Sequence, residues 1–348
     1  MKKIKLSAID FFCGAGGMTC GMRKAGIDVI AGIDIDPECK ETYEANNTGT
    51  TFIEKDITIF SPEELKAITK IKKHDDNLVF IGCSPCQYWT HINTDRSKGS
   101  KSKNLLADFQ RFVDYFKPGY IVIENVPGIL NRVDESPLPH FIKFLNENLY
   151  VVEHRIINTH QYGVPQKRRR FLLIASRVKK KIKWPKARKE DLPVVRDFIG
   201  PKNGFKKIPA GYTDPTNFLH SVSVLSEKNL MRIRQTPHNG GTRLAWKNDS
   251  ELQIDAYKGK DKMFSDIYGR MFWDKPAPTI TTKFYSISNG RFGHPDENRG
   301  LSLREGATLQ TFPRKYVFKG PSKTSIARQI GNAVPPELAK RIGIAIIS

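Results

Sequence analysis

Two short segments of this chain carry side chains suited to covalent chemistry: Gly82-Cys83-Ser84-Pro85-Cys86-Gln87 supplies thiols, and Glu124-Asn125-Val126 supplies a carboxyl group. A thiolate adds readily to electron-poor carbon, and a neighbouring carboxyl group can hold or deliver a proton. Cys83 and Cys86 also have the C-x-x-C spacing of a zinc half-site or a dithiol redox centre. No second Cys/His pair at zinc spacing accompanies them and no short thioredoxin-like domain follows Ser84-Pro85, so neither reading is taken further. The chain has five cysteines, Cys13, Cys20, Cys39, Cys83 and Cys86, an odd number without a secretory signal, because Asp10 interrupts the apolar stretch that follows the basic start. Reduced thiols are therefore expected, one of them free to react.

Both segments lie at the ends of strand-like runs, Leu78 to Gly82 and Tyr120 to Glu124, and open α/β sheets place their chemistry at that edge. Further β-rich runs at Leu6 to Phe12, Ile27 to Asp34 and Thr51 to Ile57 alternate with helical stretches at Gly17 to Lys24, Glu63 to Lys70, Leu105 to Phe116 and Pro139 to Leu149, and Pro37 can open another helix. The alternation predicts an α/β fold, a parallel sheet with helices on both faces. After Arg177 the rhythm is lost. Lys179 to Lys189 is basic, the residues beyond it are rich in Gly, Pro, Asn and Thr, and a second, smaller domain is expected there. Glu337 to Ile347 then reads as an apolar helix returning to the first domain.

Asp10-Phe11-Phe12-Cys13-Gly14-Ala15-Gly16-Gly17 follows the first strand and opens the first helix, where glycines let a backbone approach a ligand closely. Asp34 ends the next strand, positioned to accept ribose hydroxyls, and Asp56 lies where a carboxylate can accept from an adenine amino group. No G-x-x-x-x-G-K-[ST] cradle is present, so a nucleoside without a triphosphate is indicated, and S-adenosylmethionine fits. The chain of 348 residues carries 57 Lys+Arg against 36 Asp+Glu, a formal charge of +21, which favours a polyanionic partner. A membrane is disfavoured because no apolar run approaches the ~18 to 20 residues of a spanning helix.

Taken in order, Asp10 to Gly17, Pro85-Cys86-Gln87, Glu124-Asn125-Val126, Gln166-Lys167-Arg168-Arg169-Arg170, Arg299 to Pro313 and Gln329-Ile330-Gly331-Asn332 resemble the motifs of the cytosine-5 DNA methyltransferase family, of the stand-alone prokaryotic type. The resemblance implies a Rossmann-like S-adenosylmethionine-dependent methyltransferase sheet with a second, smaller target-recognition domain. Expected boundaries are 1–190 for the catalytic domain, completed by 315–348, then 191–285 for target recognition and 286–314 for a hinge and penultimate motif. It implies Cys86 as nucleophile toward cytosine C6, Glu124 at N3, and Arg168 and Arg170 facing one pocket, with Arg168 the nearer and Arg169 turned to solvent. Cofactor contacts carried over are Phe12, Gly14, Gly16, Gly17, Asp34, Asp56, Ile57, Pro85, Leu105, Asn332 and Val334, with S-adenosylhomocysteine as product and no metal. Tyr88-Trp89-Thr90 departs from the family's usual Phe-Ser ending after Gln87.

Double-stranded DNA is the expected partner. Its cytosine must leave the stack before C5 and C6 can be reached. The basic stretch His91 to Lys103, with Arg96 and Lys98, and Gln87 before it, are expected to contact DNA. In the second domain Thr242 and Arg243, in Thr236 to Arg243, are candidates for base reading, with Tyr268 to Met271 and Asn289 to Phe292 as further contacts. A cytoplasmic, nucleoid-associated monomer with a separately encoded restriction endonuclease is the expected setting. Rivals are an RNA cytosine methyltransferase, an inactive DNA-binding relative and a nicotinamide-dependent oxidoreductase. Intact Cys86, Glu124 and Arg168 weigh against the second, and the last leaves Cys86 and Glu124 unexplained.

Overall fold

The structure is a computed structural model that describes residues 5–85, 104–131 and 136–348. The chain forms two compact units: Met1–Tyr162, Arg169–Ala187 and Val334–Ser348 make the first, and Gly163–Arg168 with Arg188–Ala333 the second. Residues 315–333 thus belong to the second unit.

Unit 1 is built on a seven-stranded sheet of β1 (Ser7–Phe11), β2 (Asp28–Asp34), β3 (Thr51–Glu54), β4 (Leu78–Gly82), β5 (Tyr120–Asn125), β6 (Val151–Asn158) and β7 (Arg169–Ser176), in the order β3-β2-β1-β4-β5-β7-β6. β4 and β5 are buried along their whole length, as their unbroken apolar runs require of central parallel strands. The parallel expectation holds for β1 to β5, but β7 runs antiparallel to both β5 and β6. A parallel crossover needs about a dozen residues or more, and the connection from Thr159 to Arg168 is too short for one.

Helices α1 (Gly17–Ala25), α2 (Lys40–Asn46), α3 (Pro62–Thr69), α4 (Leu105–Phe116), α5 (Gly128–Asn131) and α6 (Leu138–Glu147) connect the strands. A capping box starts α3: Ser61 Oγ accepts from Glu64 N, Glu64 accepts from Ser61 N, and Pro62 supplies a preset φ. In α4, Phe109, Phe112 and Phe116 recur at helical spacing and are fully buried, with the first two about 5 Å from the ring of Phe11 on β1. The final helix, Pro336–Ile347, packs on α1 so closely that a β-carbon on Gly21 would collide with Ala339 Cβ.

Unit 2 has none of the paired strands of this sheet. Short helices, Arg196–Ile199, Glu227–Gln235, Leu303–Leu309 and Lys323–Asn332, are linked by long irregular stretches. Buried carbonyls without a ladder need other donors, and arginines supply them. Arg270, fully buried, donates to the carbonyls of Ile233, Thr236, His294 and Glu297. Arg304 donates to those of Phe218 and Tyr316, and Arg299 forks onto Glu305 at 2.7 and 2.8 Å.

Beside this pair His294 is buried, its Nδ1 accepting from Asp296 N and Glu297 N. Burial pushes its pKa down to about 4; Arg299 lowers it further, while Glu305, Glu297 and Asp296 pull it up. An unfolded chain, with His near pKa 6.5, therefore binds the proton first. The stability contributed by neutral His294 is complete above about pH 6.5 and is lost toward pH 4, about 3 kcal/mol at most. Melting temperature should fall through that window, and less steeply in His294→Asn; parallel curves would contradict the assignment.

Candidate active site

The strand order reverses around β1, whose neighbours are β2 and β4, so the segments leaving β1 and β4 diverge at one point on the carboxyl edge. β5 lies beside β4, which brings the end of β5 to the same edge of unit 1.

On the β1 side the chain turns sharply. Phe12 sits at φ 61, unusual for a bulky residue, and Gly14 and Gly16 follow at φ 49 and 81. Gly14 N donates to Asp34 Oδ2 at 2.8 Å and Asp36 N to Asp34 Oδ1 at 2.9 Å, so the acid ending β2 fixes the turn. Burial raises the pKa of Asp34, and these backbone donors partly offset the rise. A methyl group on Gly14 would meet nothing within 4 Å, so the turn faces open space. Asp56 is half-buried and accepts from Thr58 N and Oγ1; Ile57 is buried, and Leu105 is half-buried at the start of α4. Pro85 is exposed. Val334 is buried in unit 1, whereas Asn332 is exposed in unit 2. An open glycine turn bordered by oriented carboxylates fits a nucleoside group.

Two residues here were missed by sequence reasoning. Ile35, directly after Asp34, is 62% exposed, an apolar wall beside polar acceptors. Asp10 is fully buried; its Oδ2 accepts from Thr19 Oγ1 at 2.6 Å while Oδ1 has no partner, and burial pushes its pKa up to about 7. An acid inside the apolar strand Ile9-Asp10-Phe11 was the available signal.

On the β5 side Glu124 is buried, with Arg170 Nε 2.8 Å from its Oε1, at ion-pair distance but off the line of a hydrogen bond. Asn125 donates to Ser84 Oγ at 3.0 Å and lies 3.3 Å from Ser84 O, tying the end of β5 to the segment that leads toward residue 86. Asn125 was quoted in a motif but given no role by sequence. Burial, with Glu124 and Asp10 adding, raises the Cys83 thiol pKa well above its ordinary value, which disfavours the reactive thiolate. Cys86, Gln87, Arg96 and Lys98 lie outside the described residues.

Arg170, rather than Arg168, is the arginine brought to Glu124. β7 begins at Arg169, so Arg168 lies before the strand and the alternation of strand side chains does not align it with Arg170. Arg168 belongs to unit 2, where it donates to the carbonyls of Ile280 and Gly331. Arg169 is exposed. The base-reading candidates are also placed differently. Thr242 Oγ1 accepts from Leu244 N, capping a short turn, and Arg243 is 4% exposed with its guanidinium on the carbonyls of Lys260, Met263 and Phe264. Arg270 is buried as described, and Arg291 holds Asp266 and the carbonyls of Gly240 and Arg270. Each guanidinium is engaged inside unit 2, at odds with reading a base directly.

The family profile for C-5 cytosine-specific DNA methylase matches residues 6–348. The chain belongs to the C-5 cytosine-specific DNA methylase family. Type II methylase M.HgiDII of Herpetosiphon aurantiacus is 39% identical to it over 345 residues, 98% of this chain and 94% of that one. Type II methyltransferase M.DdeI of Desulfomicrobium norvegicum is 30% identical over 378 residues, 97% and 87% of the two chains. Among solved structures, a prophage-encoded E. coli protein shares the fold at TM-score 0.73 and 21% identity, covering 98% of each chain. This methylase is thus a DNA cytosine-5 methyltransferase, related over its whole length to stand-alone Type II enzymes. No described helix is long and apolar enough to cross a membrane.

Proposed function

We propose that this methylase modifies C5 of a cytosine rotated out of duplex DNA, through a transient bond between Cys86 Sγ and cytosine C6, with S-adenosylmethionine as donor. The observation that carries the reading is the buried Glu124–Arg170 pair at the carboxyl edge, next to the segment that Asn125 anchors on the way to Cys86. Cytosine C5 is too weak a nucleophile by itself. Addition of the Cys86 thiolate to C6 breaks the ring's aromaticity and leaves an enamine whose electron pair lies at C5. The Glu124 carboxyl group holds a proton at N3 and Arg170 faces the ring carbonyl O2, so negative charge moving onto the ring is met as it forms. C5 takes the methyl group, then loses its proton to a base, and the Sγ–C6 bond breaks to restore the ring.

S-adenosylmethionine would supply an electrophilic methyl group. Gly14, Gly16 and Gly17 would approach its methionine portion, Asp34 would hold the ribose, and Phe12, Ile35, Asp56 and Ile57 would frame the adenine. Pro85, Leu105 and Val334 are further contacts proposed from the family pattern. Residues 191–285 are proposed to recognise the target, 286–314 to act as hinge and penultimate motif, and, of the expected segment 315–348, only the part from Val334 onward, which lies in unit 1, to complete the catalytic domain. The names of the Type II relatives support a separately encoded cognate endonuclease; a cytoplasmic, nucleoid-associated setting and a monomer are proposed.

Methyl-labelled S-adenosylmethionine incubated with unmethylated duplex DNA and with tRNA in parallel, followed by base-resolution sequencing, tests the reading. Label at cytosine C5 in a fixed duplex context is expected; label in tRNA alone would overturn it. Glu124→Gln keeps the shape of the side chain but cannot transfer a proton. Its turnover should fall about a hundredfold to a thousandfold with cofactor affinity unchanged. Full turnover would remove Glu124 from the chemistry.

A further inference from the structure

Arg243, buried in unit 2, holds a loop that no sequence motif marks. Its Nη2 donates to the carbonyls of Lys260 at 2.7 Å and Met263 at 2.9 Å, its Nε lies 3.4 Å from Phe264 O, and its guanidinium sits 5.1 Å from the Tyr257 ring centroid. The loop is thereby drawn into a tight turn, with Gly259 at φ 70 and Phe264 at φ 55. At its tip Met263 is 56% and Phe264 51% exposed, although the small core of Ile233, Trp246, Leu252, Tyr268 and Ile287 lies in the same unit.

Lys258, Lys260 and Lys262, close in sequence to the two apolar residues, are exposed, with Lys260 Nζ donating to Ala256 O. The nearby acids are neutralised: Asp255 pairs with Lys258, Asp261 with Lys247 and Asp266 with Arg291. A clamped turn that presents an apolar tip among lysines suits duplex DNA, whose base edges and steps accept Met and Phe while the flanking phosphates accept lysine.

We propose that the turn Lys260–Phe264 is an element through which unit 2 reads duplex DNA. Met263 and Phe264 contact the bases, Lys260 and Lys262 contact phosphates, and Arg243 is a positioning residue that sets the turn. The inference rests on the DNA-methylase reading and adds to it the site that sets sequence preference.

The test uses the full chain, unmethylated genomic DNA fragments, labelled S-adenosylmethionine and base-resolution sequencing. S-adenosylhomocysteine binding and melting temperature serve as folding controls. Met263→Ser with Phe264→Ser removes half-exposed groups and, of ring contacts, only that of Phe264 with Tyr257, so folding should persist. Methylation at the wild-type target should fall at least tenfold and the bases tolerated around the cytosine should broaden. Lys260→Gln with Lys262→Gln should weaken all sequences alike and reduce the slope of log KM against log salt by about 2. Arg243→Lys keeps the charge but cannot span three carbonyls. Under conditions where it is folded by both controls, it should shift base preference, a readout that simple destabilisation would not move.

An active wild type whose tip variants keep its rate, base preference and salt slope overturns this inference alone. So does a tip variant that alters self-association in light scattering but not DNA methylation. A wild type that transfers no methyl group to any duplex overturns the methylase reading, and this inference with it.

Discussion

Cys86→Ala is expected to lower methyl transfer to duplex DNA by about four orders of magnitude or more while S-adenosylhomocysteine binding stays within about twofold. Without a thiolate at C6 the ring keeps its aromaticity, and no arrangement of Glu124 and Arg170 makes C5 nucleophilic. Cys83 cannot take over, because burial and the neighbouring Glu124 and Asp10 raise its thiol pKa and disfavour the thiolate. Cys83→Ala should therefore cost less than tenfold, measured in the same label-transfer assay. Retained turnover in Cys86→Ala would remove the covalent step from the mechanism.

Arg270→Met is expected to destabilise the protein by about 4 kcal/mol or more, with unit 2 losing its fold first. The substitution strips donors from the carbonyls of Ile233, Thr236, His294 and Glu297, all held by one fully buried guanidinium. Each buried carbonyl left without a partner costs about 1–3 kcal/mol, and a domain has only about 5–15 kcal/mol in total. Arg270→Lys should rescue little, since one ammonium cannot replace a planar fork that reaches four carbonyls on two segments. Urea denaturation decides the matter: a loss below about 1 kcal/mol would show that these carbonyls find other donors.

The sequence made unit 1 readable because its signals are local. Apolar runs marked β4 and β5, a helical stretch over Glu63 to Lys70 marked α3, and a Gly-rich turn after the first strand marked the ligand-facing end of β1. Strand direction is not a local property, which is why a parallel sheet was expected and the antiparallel β7 was not. Arginine roles were the least legible. A charge of +21 reads as an external field, yet Arg168, Arg243, Arg270, Arg299 and Arg304 are buried and act as internal donors. In unit 2 no period of two or 3.6 residues announces these contacts, because they join carbonyls far apart in the chain. Asp10 and Asn125 were overlooked for a related reason: their roles lie in a missing partner and in a tie to Ser84, and neither can be seen without geometry.

The bond between Cys86 and cytosine C6 is the central claim, and trapping it is the most direct test. Duplex DNA with every cytosine replaced by 5-fluorocytosine needs no knowledge of the target, and fluorine at C5 cannot leave as a proton, so the adduct persists after methyl transfer. Incubation with S-adenosylmethionine, denaturing electrophoresis and peptide mass spectrometry should reveal DNA attached to the peptide containing Cys86, and none in Cys86→Ala. Methylation of ordinary DNA without any such adduct, or an adduct at Cys83, would contradict the mechanism.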